Sequence, residues 1–199
     1  MIVAAIFAGG EGLRMGGDKF LRRIRNRTML ELALACAKAQ ADRVALSVRD
    51  STQDLGADQS PLLLDDRRTA GPIAGLAAAL TWAHAEEAGW VLTLPCDTPF
   101  APRDLAARLG QAAKRSTALA AIARSDGVAH PACALWSVSL IAPLADYIAE
   151  GRLSLIGFAE RVGCAIADWP VAPFDPFFNV NTPEDLARAE LIADQLHFE

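Results

Sequence analysis

A glycine-rich segment that directly follows an apolar run constrains the fold of this chain most. Ile2 to Ala8 is apolar and has the length of a buried strand, and the next nine residues, 9–17, contain five glycines. Two cations, Arg14 and Lys19, lie in or beside this segment. Glycine has no Cβ, so backbone N–H groups can approach a ligand closely, and the two cations indicate an anionic ligand. The segment therefore predicts a strand followed by a loop that binds a nucleotide phosphate.

Two common phosphate-binding loops do not fit this segment. A dinucleotide-binding loop that used Gly10 and Gly12 would need a third glycine at the position of Met15. A P-loop that used Gly12 and Gly17 would need a lysine at the position of Asp18. The segment therefore predicts a phosphate-binding loop of a different class.

Composition narrows the class of protein. The 199 residues are enough for one α/β domain, and 52% hydrophobic with 22% charged residues is typical of a globular protein. A net charge of −5 argues against a general nucleic-acid binder, and the densest basic run, residues 22–27, is interpreted as a solvated loop. Four widely spaced cysteines without a C-x-x-C pair indicate core thiols in a reducing cytoplasm. No apolar stretch reaches the roughly 20 residues that span a bilayer, so we expect no membrane association.

Strand and helix patterns alternate along the chain and predict a three-layer, Rossmann-like α/β fold with a mostly parallel sheet. The turn residues Ser125, Asp126 and Gly127 predict a hairpin, so the strand after them should run antiparallel. The predicted strands are 2–8, 44–48, 61–64, 90–94, 117–123, 128–137, 164–168 and 177–181, and the predicted helices are 28–40, 71–88, 102–114, 140–150, 153–162 and 182–195.

Four groups of polar residues fall at the ends of predicted strands. They are the loop from Gly9 to Lys19, the pair Asp65 and Asp66, Asp97, and the pair Asn179 and Asn181. In open α/β sheets, ligands bind outside the carboxyl ends of the strands, so we expect the four groups to share one edge. A carboxylate at the tip of a buried strand is costly unless it is paired or metal-bound, which makes Asp97 the metal candidate.

The motifs together resemble molybdenum cofactor guanylyltransferases, in that family's order and across nearly the whole chain. They are Gly-Gly-x-x-x-Arg-Met-Gly-x-Asp-Lys at 9–19, Gly-Pro-x-Ala-Gly at 71–75, Leu-Pro-Cys-Asp-Thr-Pro at 94–99, His-Pro at 130–131 and Phe-Asn-Val-Asn-Thr-Pro-Glu-Asp-Leu at 178–186. The first loop is shared by many nucleotidyltransferases, whereas the last motif and the Cys-Asp-x-Pro form are more discriminating.

The resemblance implies a nucleotidyltransferase fold and an Mg²⁺-dependent transfer of GMP from GTP to the terminal phosphate of molybdenum-molybdopterin, with pyrophosphate as the second product. It implies one domain over 1–199, with a nucleotide-binding part at about 1–100 and an acceptor-binding part at about 101–199. Molybdoenzyme maturation proteins are candidate partners. The implied nucleotide contacts are Ala8, Gly9, Gly10, Lys19, Ser47, Asp65 and Asp97; the implied catalytic residues are Arg14, Lys19 and Asp97; Asp97 would hold Mg²⁺; and Asn179 and Asn181 would lie near the pterin.

Two positions leave nucleotide selection open. Ser47 stands near the place where the family commonly has an asparagine, and either Asp65 or Asp66 could face the base, with Asp65 preferred. The alternatives are a related transferase that uses CTP or accepts a sugar or polyol phosphate, and a GTP-binding adaptor that delivers cofactor without turnover. His130 is interpreted as a hydrogen-bonded core histidine and is not assigned a role as an acid or base.

Overall fold

A seven-stranded sheet with helices on both faces organises the molecule. The structure is a computed structural model that describes residues 1–9, 19–52, 58–66, 69 and 71–196. The strands are β1 Ile2–Phe7, β2 Arg23–Ile24, β3 Arg27–Thr28, β4 Arg43–Val48, β5 Leu62–Leu64, β6 Trp90–Pro95, β7 Ala120–Ser125, β8 Val128–Ser137 and β9 Cys164–Trp169. The helices are α1 Met29–Lys38, α2 Pro72–Ala85, α3 Leu105–Ser116, α4 Ile141–Ala149, α5 Leu155–Val162 and α6 Pro183–Gln195.

The strand order in the large sheet is β5-β4-β1-β6-β8-β7-β9. Strand β8 runs antiparallel to both of its neighbours, and the other strands are parallel to one another. The two-residue turn between β7 and β8 places Asp126 at φ 46° and Gly127 at φ 75°, the left-handed conformation that such hairpin turns require. The predicted mostly parallel sheet with one antiparallel strand is confirmed.

The two faces of the sheet are packed against different helices. Ala4 and Ile6 contact one cluster, which contains α1 and α3, whereas Val3 and Ala5 contact the other, which contains α2, α4 and α5. This division follows from the strand geometry, because successive side chains point to opposite faces. The result is three layers, as predicted. Among the described residues, no helix has the length and hydrophobicity needed to cross a membrane.

Two predicted segments differ from the structure. The predicted strand 177–181 was wrong: this stretch belongs to an irregular segment, 170–182, between β9 and α6. Its backbone joins the sheet edge through a hydrogen bond from Val180 N to Asp97 O, 2.9 Å long, and side-chain packing of Phe177 onto His130 and Trp169 replaces a strand ladder.

The basic run at 22–27 was interpreted as a solvated loop; most of its residues are exposed, as expected, but the loop was wrong. It forms the hairpin of β2 and β3, in which Ile24 is buried against α6. The Arg25 backbone N–H donates to a carboxylate oxygen of Glu190 at 2.9 Å, and the Arg25 guanidinium pairs with Asp194. Acidic residues of α6 thus neutralise part of the basic run, which the local sequence could not indicate.

Candidate functional site

Lys19 lies at the centre of a polar cluster at the carboxyl ends of the strands. Its ammonium group donates to Asp97 Oδ2 and to Asn181 Oδ1, each at 2.6 Å, and the side chain is only 11% exposed. The three residues come from distant parts of the chain: the short helical turn after the glycine-rich segment, the end of β6, and the residue before the cap of α6. The structure therefore brings together three of the four predicted groups in one contact.

Asp97 is placed by the central strand of the sheet. Strand β6 lies beside β1, and the Cys96 N–H donates to Phe7 O at 3.2 Å just beyond the last paired residues. The Asp97 carbonyl then accepts the Val180 N–H. The carboxylate is therefore held between Lys19 and the segment 170–182.

Asn181 is held by the start of α6. Its backbone N–H donates to Asp185 Oδ2 at 2.9 Å, and Thr182 forms a capping box with the same Asp185. The hydrogen bond from the Asn181 backbone is the main reason that the pKa of Asp185 is lowered. The first turn of α6 therefore fixes the backbone from which Asn181 reaches Lys19.

Asn179 lies two residues earlier and has a partner that sequence reasoning missed. Its Oδ1 accepts a hydrogen bond from Thr98 Oγ1 at 2.7 Å, and Thr98 is buried. The signal was present, because Thr98 directly follows Asp97 in a strand-end motif, but a threonine there also suits a turn. The contact ties the segment 170–182 to the tip of β6 a second time.

A second polar group lies at the ends of β1, β4 and β5. The Ala8 N–H donates to Ser47 O at 2.9 Å, and the Ser47 hydroxyl donates to Asp65 Oδ1 at 2.6 Å. A Cβ added at Gly9 would lie 3.3 Å from Asp65 Oδ2, so the absence of a side chain lets this carboxylate approach the backbone. The resemblance implied that Ala8, Gly9, Ser47 and Asp65 contact the nucleotide, and we refer to these four residues as the nucleotide side of the site.

The electrostatics of Asp65 reflect its partial burial. Burial raises the pKa of its carboxyl group, while the Ser47 hydrogen bond and the Arg49 charge oppose that rise. Asp66 lines a groove between α2 and α4. The structure therefore places the Asp65 carboxylate beside Gly9, the residue that follows Ala8 at the end of β1.

Helix α2 approaches the same group closely through Gly75. A Cβ added there would lie 2.7 Å from Ser47 Oγ and 3.0 Å from the Phe7 ring, which real side chains do not tolerate. The motif at 71–75 therefore has a packing requirement at its last glycine. Of the other predicted site residues, Gly10 and Arg14 lie outside the described residues.

The side chains that could act as metal ligands indicate which kind of metal site is possible here. Among the described residues, no group of three or more histidine, cysteine, aspartate or glutamate side chains could hold a metal ion. Mg²⁺ bound to nucleotides is usually held by one or two carboxylates together with phosphate oxygens and water. A single carboxylate, Asp97, beside a lysine fits that kind of shared site and does not fit an all-protein metal cage.

Comparison with known proteins decides the family. Residues 4–162 match the family model of the MobA-like NTP transferase domain. The chain belongs to this family. A relative from Rhodopseudomonas palustris (strain HaA2) named molybdenum cofactor guanylyltransferase is 43% identical over 195 residues, which cover 96% of this chain and 91% of the relative.

Solved structures agree with this membership of the MobA-like family. The crystal structure of molybdopterin-guanine dinucleotide biosynthesis protein A from Archaeoglobus fulgidus has a TM-score of 0.76 and 25% identity, and covers 98% of this chain and 100% of that one. A 2-C-methyl-D-erythritol 4-phosphate cytidylyltransferase from Thermus thermophilus shares the fold, with a TM-score of 0.68 and 23% identity over 98% of this chain and 100% of that one. The predicted resemblance and fold class are confirmed, and the protein is a nucleotidyltransferase of molybdenum cofactor biosynthesis.

Proposed function

We propose that the protein transfers GMP from GTP to the terminal phosphate of molybdenum-molybdopterin and releases pyrophosphate. The contact of Lys19 with Asp97 and Asn181 is the observation that carries this proposal. This contact supports the proposal because it holds a cation next to the strand-end carboxylate Asp97 and the segment 170–182, and we expect a phosphate of each substrate to meet there. The relatives named molybdenum cofactor guanylyltransferase support the choice of substrates.

Charge neutralisation is the main task of such a site. Both substrates are anionic, and a phosphomonoester with a second pKa of about 6 is already largely ionised at neutral pH. The acceptor phosphate can therefore attack the α-phosphorus of GTP in line without a general base. Lys19 is buried enough that its charge acts in a medium of low dielectric, where it offsets the repulsion between the two phosphates more strongly than in water.

Mg²⁺ is the proposed cofactor and Asp97 its proposed protein ligand. When bound, Mg²⁺ would neutralise charge on the triphosphate oxygens. Lys19 would hold phosphate oxygens from the other side, and Asn181 would keep the ammonium group in place for them. We expect Arg14, by its position in the glycine-rich segment, to assist with the same charges.

Guanine selection is assigned to Asp65. The guanine edge presents two adjacent N–H donors, and a carboxylate accepts from both at once, whereas cytosine places an acceptor next to its donor. Ser47 fixes one carboxylate oxygen, and the other lies beside Gly9. A base positioned over Gly9 would therefore meet an oriented acceptor pair.

The test is an incubation of the purified protein with Mg²⁺, molybdate-loaded molybdopterin and each of the four nucleoside triphosphates in turn. Pyrophosphate and the dinucleotide product are both measured. Product with GTP alone is expected. Product with CTP alone would identify the protein as a cytidylyltransferase. Absence of pyrophosphate with every nucleotide would contradict catalysis and favour an adaptor. The predicted cytoplasmic location and the absence of nucleic-acid binding stay predictions.

A further inference from the structure

Arg49 directly follows β4 and lies between two residues of the nucleotide side. The parallel registers of β1 with β4 and of β4 with β5, continued past their last paired residues, place Gly9, Arg49 and Asp65 side by side. Residues in one such row of a pleated sheet have their side chains on the same face. The sheet therefore places an arginine between the residue that follows Ala8 and the carboxylate assigned to guanine.

The space around Gly9 agrees with this row. A Cβ added at Gly9 would lie 3.2 Å from Arg49 Cγ, 3.3 Å from the Arg49 backbone nitrogen and 3.3 Å from Asp65 Oδ2. These separations are tighter than almost all real Cβ contacts, so Gly9 leaves room for the aliphatic stem of the arginine as well as for the carboxylate. Both side chains therefore border the position over Gly9 at which the proposed function places the base.

The charge of Arg49 acts on Asp65. Burial raises the pKa of the Asp65 carboxyl group, and the hydrogen bond from Ser47 and the positive charge of Arg49 lower it. A base that covered the carboxylate would remove more water from it and would favour its neutral form further. Arg49 itself is exposed, so its guanidinium remains hydrated while it stabilises the carboxylate.

The other groups around this carboxylate carry no positive charge in the part of the chain that the structure describes. Ser47 donates from a neutral hydroxyl group. Helix α2 approaches Ser47 with Gly75, which has no side chain. The neighbouring carboxylate, Asp66, lines the groove between α2 and α4. Among the described residues that act on the Asp65 carboxyl group, Arg49 is therefore the cation.

We propose that Arg49 is a positioning residue for nucleotide selection: it holds Asp65 as a charged acceptor beside Gly9, so that both carboxylate oxygens can accept from guanine. This rests on the proposed function, which assigns the guanine edge to Asp65. A neutral carboxyl group carries a proton on one oxygen, and this O–H would face one of the two N–H donors of guanine. A base with a single donor at this edge needs a single acceptor, so it loses less when Asp65 is neutral.

The test compares the dissociation constants of GTP and of inosine triphosphate, which lacks the 2-amino group and so presents one donor in place of two. The two nucleotides have the same triphosphate, so the ratio of their constants is insensitive to titration of the terminal phosphate. Both constants are measured by calorimetry with Mg²⁺ at about pH 8 and about pH 5.5, values that lie on either side of neutrality and above the ordinary carboxyl pKa.

The variants separate the charge of Arg49 from its packing. Arg49→Met keeps an unbranched stem beside Gly9 and removes the charge, and Arg49→Lys keeps the charge. Arg115→Met, at the exposed end of α3, is the matched control. Circular dichroism identifies any variant that does not fold, and Arg49→Gln takes the place of Arg49→Met in that case.

We expect wild type to bind GTP about tenfold or more tightly than inosine triphosphate at both pH values. In Arg49→Met this preference should stay near the wild-type value at about pH 8 and fall by about threefold or more at about pH 5.5, because Asp65 without the arginine takes up a proton more readily as the pH falls. Arg49→Lys should restore most of the preference, and Arg115→Met should match wild type.

Three results would overturn the proposal. One is an Arg49→Met preference equal to that of wild type at both pH values. Another is an equal loss of affinity for both nucleotides, because Arg49 would then act on the triphosphate that they share. The third is equal binding of the two nucleotides by wild type, which would also contradict the assignment of guanine to Asp65. If wild type shows the preference but transfers no nucleotide, the proposed function fails while the role of Arg49 stands.

Discussion

The two sides of the site are built on different kinds of backbone. On the nucleotide side, Ser47 lies within β4, and Gly9 and Asp65 lie within two residues of the ends of β1 and β5, so parallel pairing fixes their positions. On the other side, where the resemblance implies the acceptor, the structure has the bulge at 130–133 and the irregular segment 170–182; we refer to this as the acceptor side. Hydrogen bonds that involve side chains, from Thr98 Oγ1 to Asn179 Oδ1 and from the Asn181 backbone N–H to Asp185 Oδ2, hold this second side.

This difference would suit the two ligands of the proposed function. A sheet edge repeats the same geometry in every parallel α/β protein, which suits a ligand part as common as a nucleoside triphosphate. An irregular segment can change shape without disturbing the ladder, which suits recognition of a particular acceptor. The cytidylyltransferase neighbour shares the fold, and a shared fold does not by itself determine the substrate.

The largest effect is expected at Asp97, where the two sides meet. Asp97→Asn keeps the size of the side chain and a hydrogen-bond acceptor for Lys19, but it removes the charge assigned to Mg²⁺. We expect a loss of Mg²⁺-dependent turnover of at least about 100-fold and little change in melting temperature. Asp146→Asn, at an exposed position on α4, is the control. Turnover at the wild-type rate would remove Asp97 from the site.

Lys19→Ala should act mainly on the nucleotide. Loss of a charge-assisted hydrogen bond costs about 1.5–3 kcal/mol, so GTP binding measured by calorimetry should weaken by about 10- to 100-fold. Lys38→Ala removes an exposed lysine that pairs with Asp58 and should leave GTP binding unchanged. If Lys19→Ala weakened the binding of the pterin and of GTP by the same factor, Lys19 would serve both sides of the site and this prediction would be wrong.

Asp65→Asn should change nucleotide choice without changing acceptor binding. The variant keeps the hydrogen bond with Ser47 but replaces one carboxylate oxygen with an amide donor, which opposes the donors of guanine. We expect the ratio of kcat/KM for GTP to that for CTP to fall about tenfold or more. Asp66→Asn is the matched control one residue away. An unchanged ratio in Asp65→Asn with a lower ratio in Asp66→Asn would reverse the assignment.

The smallest effect concerns the acceptor side and pH. Burial lowers the pKa of His130 in the folded protein, so the unfolded chain binds more protons once the pH falls below about 6.5. Stability from a neutral His130 is therefore complete above that pH and decreases as the pH falls toward the folded pKa. The urea midpoint of wild type should drop between pH 7.5 and 5.5 by more than that of His130→Gln. His84→Gln, at an exposed position, should behave as wild type.

The sequence predicted the regular side of the site better than the irregular side. Glycines and the apolar run of β1 are local signals, so the strand and the shared edge with Asp97 followed from pattern alone. The stretch around Asn179 also alternates like a strand, but its conformation depends on packing against His130 and Trp169, residues that lie far away in sequence. Tertiary contacts override local propensity there, which is why a strand was predicted wrongly.

Contacts between distant segments are also the reason that the basic hairpin and the cavity lined by residues 130–133 of β8 were not predicted. The charges at 22–27 are balanced by Glu190 and Asp194 of α6, and no local rule relates these two segments. His130 was interpreted as a satisfied core histidine, and its bond with Ser125 agrees with that, but its place in a cavity wall follows only from the missing register of β8. The sequence could predict which residues lie at the shared sheet edge. It could not predict the hairpin at 22–27 or the cavity beside β8, because both depend on contacts between distant segments.

The contact between Lys19 and Asn181 has a consequence for synthesis of the protein. The two residues are 162 positions apart, so at about 5–20 residues per second the ribosome adds Asn181 roughly 10–30 seconds after Lys19. During that interval the early strands can pair, but Lys19 lacks one of its two partners and Ile24 lacks the residues of α6 that cover it. A nascent chain can therefore complete the contact of Lys19 with Asp97 and Asn181 only after residue 181 has emerged.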